Sequence, residues 1–317
     1  MMKRRVVSTL PAAAENQTLL AYLSGRFNYH SPEEWQQKIA QGELLLNGAV
    51  CCNTEQMLQC GMILEYVPQM LCEPAVATDY RIVYADDVLL VIDKPGNLPV
   101  HPAGPYFANT LWALLEKAGY GKLHMVNRLD RETSGLLIAA RTAQSAGELA
   151  KTLPAMRKCY YTLVHGNFPE RVCARGWLTG DTRSPIRKKQ RFIAAENESI
   201  LNDIEGKFTA VETIFTPLRH NCDYTLLSAE LHTGRMHQIR ATLHGMGFPV
   251  AGDKLYGLDE NFYRRFAQGI LSESDRRQLV LERQALHCAE LSFVHPISGK
   301  TMTFYSELPR EIADLSM

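Results

Sequence analysis

An α+β fold is predicted, on three observations. From Asp79 onward, short apolar runs alternate with a few helical patterns, without the regular strand and helix repeat of a doubly wound sheet. Ahead of them, residues 16–70 carry a separate pattern of two helices and a hairpin. The 317 residues suffice for one large core and one small one.

In the small module, Leu19, Leu20, Tyr22, Leu23 and Phe27 form a helical stripe. Ser31-Pro32-Glu33-Glu34 opens a second helix, with Ser31 as cap and Pro32 at the first helical position, and Gly42 ends it. Leu44-Leu45-Leu46 then runs into Asn47-Gly48, a strong hairpin signal, and Gly61 to Leu64 closes the module. Residues 68–78, with Pro74 and little periodicity, read as a linker to a large domain at 79–317. There, Tyr80–Tyr84 and Val88–Asp93 flank an Asp86-Asp87 turn, and Asn109 or Thr110 caps a helix through Lys117. Leu136–Ala140 reads as a buried strand, Thr142 opens a helix to about Thr152, and Lys158–His165, Thr209–Leu218 and Tyr224–Leu231 supply further strands. Met236, Ile239, Leu243 and Met246 give the apolar stripe of a helix opening near Thr233-Gly234, with Arg240 at its edge.

Cations and acids number 34 each, so the chain has no overall attraction for a polyanion and any nucleic-acid site must be a local patch. The eight cysteines contain no Cys-x-x-Cys and sit among apolar neighbours, which argues against a zinc site or a disulfide framework. His232, His237 and His244 are spaced by five and seven, not the four that sets a helical zinc pair, so no metal is expected. The basic start Met1-Met2-Lys3-Arg4-Arg5 is followed by no apolar stretch of signal-peptide character, and no window reaches the roughly 20 apolar residues that span a bilayer. A cytoplasmic monomer without membrane association is expected.

One run stands apart: Asn127-Arg128-Leu129-Asp130-Arg131-Glu132-Thr133-Ser134-Gly135. A carboxylate between two arginines is favoured in its ionised form, and an aspartate kept charged is available as nucleophile or base. The alternative is a salt-bridged surface turn. A second run, Arg183-Ser184-Pro185-Ile186-Arg187-Lys188-Lys189-Gln190-Arg191, holds five cations and no acid, as a phosphate-contacting loop or a solvated one would.

The first run, continued by Leu136 to Arg141, resembles the signature of the RluA-type RNA pseudouridine synthases, apart from Asn127 where the family usually has His. Further stretches match in order: Val91 to Pro102 around Lys94-Pro95, Lys158-Cys159-Tyr160, His232 to Arg240, Gly252 to Gly257, Ala285 to Cys288, and His295 to Lys300. The resemblance covers most of the chain. It implies the pseudouridine synthase fold, a mixed and largely antiparallel sheet with flanking helices. It implies isomerisation of uridine in RNA, without a cofactor, by one essential aspartate, here Asp130. By the same resemblance Arg240 pairs with that aspartate, Tyr160 stacks on the target uracil, and Arg128 fills the gap left by a flipped uridine. The local alternatives are an arginine covering a core edge, a tyrosine packed in the sheet, and a loop-pinning salt bridge. Arg187, Lys188 and Lys189 are the expected phosphate contacts.

The small module resembles the alpha-L RNA-binding motif of a ribosomal small-subunit protein, although only Arg26 and Lys38 are good candidates for its basic face. It tilts the expected partner toward ribosomal RNA over transfer RNA. Two other functions compete. One is a non-catalytic RNA-binding or assembly factor of the same fold; the other is a glycoside hydrolase, for which Glu132 is the nearest second carboxylate. Residues 260–283, rich in both charges, read as an insertion for substrate or partner contact.

Overall fold

The computed structural model describes residues 5–27, 30–68, 73–203 and 206–317. The chain forms two compact units, residues 1–75 with 102–108, and residues 76–101 with 109–317. The expected linker at 68–78 lies partly, at 69–72, outside the described residues.

In the small unit, β1 (Val6–Thr9), β4 (Ile63–Tyr66), β2 (Leu44–Leu46) and β3 (Ala49–Val50) form a four-stranded sheet in that order. Helices α1 (Leu19–Arg26) and α2 (Pro32–Ala40) bury Leu19, Leu23, Trp35 and Ile39 in a core shared with Leu44 and Leu64. Ser31 and Glu34 form a reciprocal capping box on α2. Asn47 and Gly48 both take positive φ, 49° and 81°, as a tight hairpin turn requires. The sheet starts upstream of residue 16, with a strand the sequence pattern does not announce: Val6 and Val7 lie exposed and β1 carries no apolar alternation.

The large unit is built on an 11-stranded sheet. Its strands are β5 (Arg81–Ala85), β6 (Leu89–Lys94), β7 (His124–Met125), β8 (Ser134–Ala140), β9 (Arg157–His165), β10 (Val172–Gly180), β11 (Gln190–Ala194), β12 (Thr209–His220), β13 (Tyr224–Leu231), β14 (Leu286–Val294) and β15 (Thr301–Tyr305). The main path runs β11-β10-β12-β13-β9-β14-β8-β6-β5, with β15 on β14 and β7 on β8. Pairing is antiparallel except between β14 and β8, which run parallel at His287 opposite Ser134 and Cys288 opposite Gly135. Helices α3 (Leu111–Leu115), α4 (Ala143–Thr152), α5 (Gln238–Gly245), α6 (Asn261–Ala267), α7 (Glu273–Leu279) and α8 (Arg310–Leu315) flank it. This is the expected α+β fold, with Thr110 and Thr142 capping α3 and α4 through their hydroxyls.

All seven residues of β8 are buried, as its apolar run requires at the centre of a covered sheet. Gly135, with φ of 104°, lets β8 approach β14: a Cβ there would lie 2.2 Å from the carbonyl oxygen of Cys288. Helix α5 starts four residues later than the sequence pattern suggests. His237 adopts a left-handed conformation, φ 57°, immediately before it, and Met236 is left exposed outside the helix. No helix among the described residues is long and apolar enough to cross a membrane, and the described cysteines are free thiols.

Candidate active site

The loop ahead of β8 carries Asp130 and is held at many points. Lys94, fully buried at the end of β6, donates to the carbonyls of Pro95 (2.8 Å), Leu98 (2.9 Å) and Arg131 (3.2 Å), the last being the residue after Asp130. The Leu98 amide also donates to the Arg131 carbonyl, and the Thr133 amide to the Asp130 carbonyl. Asn127 accepts the Ile138 amide at 2.8 Å, Thr133 accepts from Gln284 at 2.6 Å, and Ser134 meets His287 at 2.9 Å. Asn127, where the resemblance expected His, thus helps close the loop.

Asp130 meets its cation from α5. Nη1 of Arg240 donates to Oδ2 of Asp130 at 2.7 Å, and Nε2 of His237 lies 3.9 Å from Oδ1. Burial pushes the Asp130 carboxyl up, but the Arg240 guanidinium and His237 outweigh it, and the net value falls below the ordinary carboxylate range. The flanking arginines are not its partners, contrary to the expectation from the local run. Arg131 binds Glu132 at 2.7 Å, and the exposed Arg128 has no ion-pair partner among the described residues.

Arg240 is itself fixed from behind. Its Nε and Nη2 donate to Oδ2 and Oδ1 of Asp253 at 2.6 and 2.8 Å, a fork-to-fork pair. Asp253, with no exposed surface, also accepts the amides of Leu255 and Tyr256 at 2.9 Å each. The Tyr256 ring lies 4.9 Å from the guanidinium, and its hydroxyl accepts the Gln190 amide and meets Nδ1 of His237 at 2.9 Å. Taking the hydroxyl proton as donated to Nδ1 assigns the imidazole proton to Nε2, facing Asp130. Burial first, then Arg240 and Lys188, against the pull of Asp130, push the His237 pKa down to about 4, so the ring is neutral near pH 7. The sequence alone gives no role to Asp253, Tyr256, His237 or Lys94, although each lies in a stretch that carries the family resemblance.

Tyr160 lies on β9 opposite Cys288 and is buried; burial, with Cys288 alongside, pushes its phenol well above the ordinary value and keeps it neutral. It shares with Asp130, Arg128, His237, Gln238 and Leu286 the wall of a cavity of about 70 Å³. Arg128 is thus at this cavity without the loop-pinning ion pair weighed as its alternative. In the 183–191 loop, Arg187 and Lys188 are exposed, but Lys189 is buried and donates to Glu260 at 2.7 Å. Lys189 is therefore corrected: the acid it neutralises comes from the 260–283 segment, out of view of the local run. Glu132 is held between Arg131 and Lys254, at 2.7 and 3.1 Å, and accepts the Gln284 amide, so it is committed as a structural anion. The three histidines have different partners: His232 faces Glu212, His237 faces Asp130, and His244 meets the Tyr256 carbonyl. Among the described residues no cluster of metal-ligating side chains occurs.

The sequence model of the family described as RNA pseudouridylate synthase matches residues 88–245, the span from β6 through Asp130, Tyr160 and Arg240. A ribosomal large subunit pseudouridine synthase D of Zymomonas mobilis is 32% identical over 73% of this chain and 70% of its own length. The chain belongs to the RluA-type RNA pseudouridine synthase family. A protein of Chloroflexus aurantiacus described as an uncharacterized RNA pseudouridine synthase is 32% identical over 98% of this synthase and 92% of its own length. The solved structure of human RNA pseudouridylate synthase domain containing 1 superposes with a TM-score of 0.57 at 21% identity, covering 74% of this synthase and 86% of that chain, a likeness of fold. The synthase is thus an isomerase by family.

Proposed function

We propose that this synthase isomerises specific uridines of ribosomal RNA to pseudouridine, with Asp130 opening the reaction. The observation that carries the proposal is the Asp130–Arg240 pair at the wall of the cavity that Tyr160 also lines. An aspartate kept ionised against burial by a fixed guanidinium is ready at neutral pH as nucleophile or base.

The reaction breaks the bond from C1′ to N1, turns the uracil, and joins C5 to C1′. The electron pair of the first bond leaves with the base, C5 gives up its proton, and N1 takes one up, so no redox partner is needed. Asp130 either adds to C1′ or removes a ribose proton; both routes begin from its carboxylate. Tyr160, neutral and next to Asp130, stacks on the uracil and lies beside C5. Arg128 fills the stack that the flipped uridine leaves. Arg187 and Lys188 contact phosphates. Glu132, already spent on Arg131 and Lys254, is unsuited to the proton-donor role that a glycosidase needs.

Ribosomal RNA is supported by the similarity to a protein named for the large ribosomal subunit. The small unit, with two helices and the Asn47-Gly48 hairpin, is assigned an RNA-binding role as well. Of its two expected cations, Lys38 pairs with Glu43 at 3.4 Å, while Arg26 is exposed. The test is tritium release from uridine C5 in ribosomal and transfer RNA fractions of cells lacking the protein. Release from ribosomal RNA is expected; release from transfer RNA alone would reassign the substrate.

A further inference from the structure

A second cavity, of about 160 Å³, adjoins the Asp130–Arg240 pair. Asp130, His237 and Arg240 line both cavities, so a ligand in one is next to a ligand in the other. The far wall of the second cavity comes from α6, which presents Tyr263 and Phe266. Lys188 lies over the Tyr263 ring at 4.3 Å, and Arg131 and Lys254 approach the Phe266 ring at 4.9 and 5.0 Å.

This wall is built to stay in place. Glu260, ahead of α6, accepts from Ser184 at 2.8 Å and Lys189 at 2.7 Å, which ties the helix to the cationic loop. Phe262 anchors the helix in the core, and Arg265 forks onto Asp275 of α7 with two contacts of 2.9 Å. Within the cavity, the acid Glu132 is already neutralised by Lys254 and Arg131, whereas Lys188 is exposed and has no acidic partner among the described residues. Phe266 keeps 36% of its surface exposed. Phe266 is the exposed aromatic of this wall and Lys188, over the ring of Tyr263 on the same helix, its unneutralised cation, a pairing that suits a base and its phosphate, since every base offers a stacking face and every linkage an anion.

We propose that the second cavity is a subsite for the nucleotide adjoining the target uridine on the RNA strand, with its phosphate on Lys188 and its base against Tyr263 and Phe266. The inference rests on the proposed function, because it takes the Tyr160 cavity as the place of the target. It gives α6 and α7 a role in choosing among uridines: the neighbouring nucleotide is read by fit to a rigid wall.

The full-length Asp130→Asn protein, which keeps the shape of the side chain and removes its charge, would be bound to an unmodified large-subunit ribosomal RNA transcript and irradiated with short-wave ultraviolet light. Crosslinked peptides would then be sequenced by mass spectrometry. Crosslinks at Tyr263 or Phe266 together with Tyr160 are the expected result. Crosslinks at Tyr160 without either α6 aromatic would overturn the subsite and leave the function standing; none at any of the three would count against both. Independently, Lys188→Ala should lower the salt dependence of binding by about one phosphate contact. Phe266→Ala should weaken binding roughly tenfold, as loss of one base stack does. Unchanged affinity and slope in both variants would overturn the subsite.

Discussion

Arg240 is gripped by Asp253 through two hydrogen bonds of 2.6 and 2.8 Å, which leaves its third nitrogen, Nη1, aimed at Asp130. The guanidinium is a bridge between a buried carboxylate that fixes it and a partly exposed one that faces the cavity: the Asp253 side chain has no exposure and that of Asp130 has 33%. Lysine offers a point charge on a flexible stem and cannot make this planar three-way contact. Arg240→Lys is therefore expected to lower turnover about a hundredfold or more, on the scale of losing one preorganised electrostatic contact. Arg240→Met should in addition cost about 3 to 5 kcal/mol of stability, because it strands Asp253 as a buried charge. Turnover and denaturant unfolding of the two variants measure the two effects separately.

Neither Asp130 nor His237 changes charge near neutrality. The Asp130 value lies below the ordinary carboxylate range, so its contribution to stability is present above about pH 4 and is lost as pH falls through the lowered value. His237, pushed down to about 4, stays neutral as pH rises through 6.5. The pH profile of turnover should show no inflection from this histidine near pH 6.5. An inflection there that disappears in His237→Gln would contradict the assignment.

Lys94 donates to three carbonyls on two loop segments, including that of Arg131 beside Asp130. Lys94→Met leaves all three acceptors without that donor, and a loss of at least about 2 kcal/mol is expected from unsatisfied buried groups. Burial, then Arg283, against the attraction of Asp130, brings the Lys94 pKa down to about 7. The unfolded chain then holds the proton between about pH 7 and 10.4 where the folded chain releases it, so stability rises with pH across that window. The wild-type advantage over Lys94→Met, measured by denaturant unfolding, should widen from pH 7 to pH 9.

Gly135 has a positive φ and faces the Cys288 backbone. Gly135→Ala should break the parallel pairing of β8 with β14 and give insoluble or strongly destabilised protein, whereas Gly48→Ala, at an exposed turn with open space around it, should remain soluble. Equal solubility and melting temperature of the two variants would show that the close approach is dispensable.

Much of this was legible in the sequence because it is local. The strand Tyr224–Leu231 has the ends its apolar alternation implies, and Thr142 caps the helix it was expected to open. Arg240 was reachable through the helical stripe and the family resemblance together. What the sequence concealed depends on residues far apart along the chain. Asp130 and Arg240 are 110 residues apart, so the arginines flanking Asp130 looked like its partners until the loop's geometry turned them elsewhere. Lys189 looked like its exposed neighbours because Glu260, which neutralises it, lies 71 residues on. The left-handed His237 shortened α5 for a tertiary reason: it meets the Tyr256 hydroxyl with one nitrogen and faces Asp130 with the other.

Whether Asp130 starts the isomerisation is read from tritium release from C5-labelled ribosomal RNA of cells lacking the protein, comparing wild type with Asp130→Ala and Asp130→Asn. Release by the wild type and none by either variant is expected, with RNA binding retained in both. Release by Asp130→Asn at the wild-type rate would show that the reaction starts from another residue of the cavity.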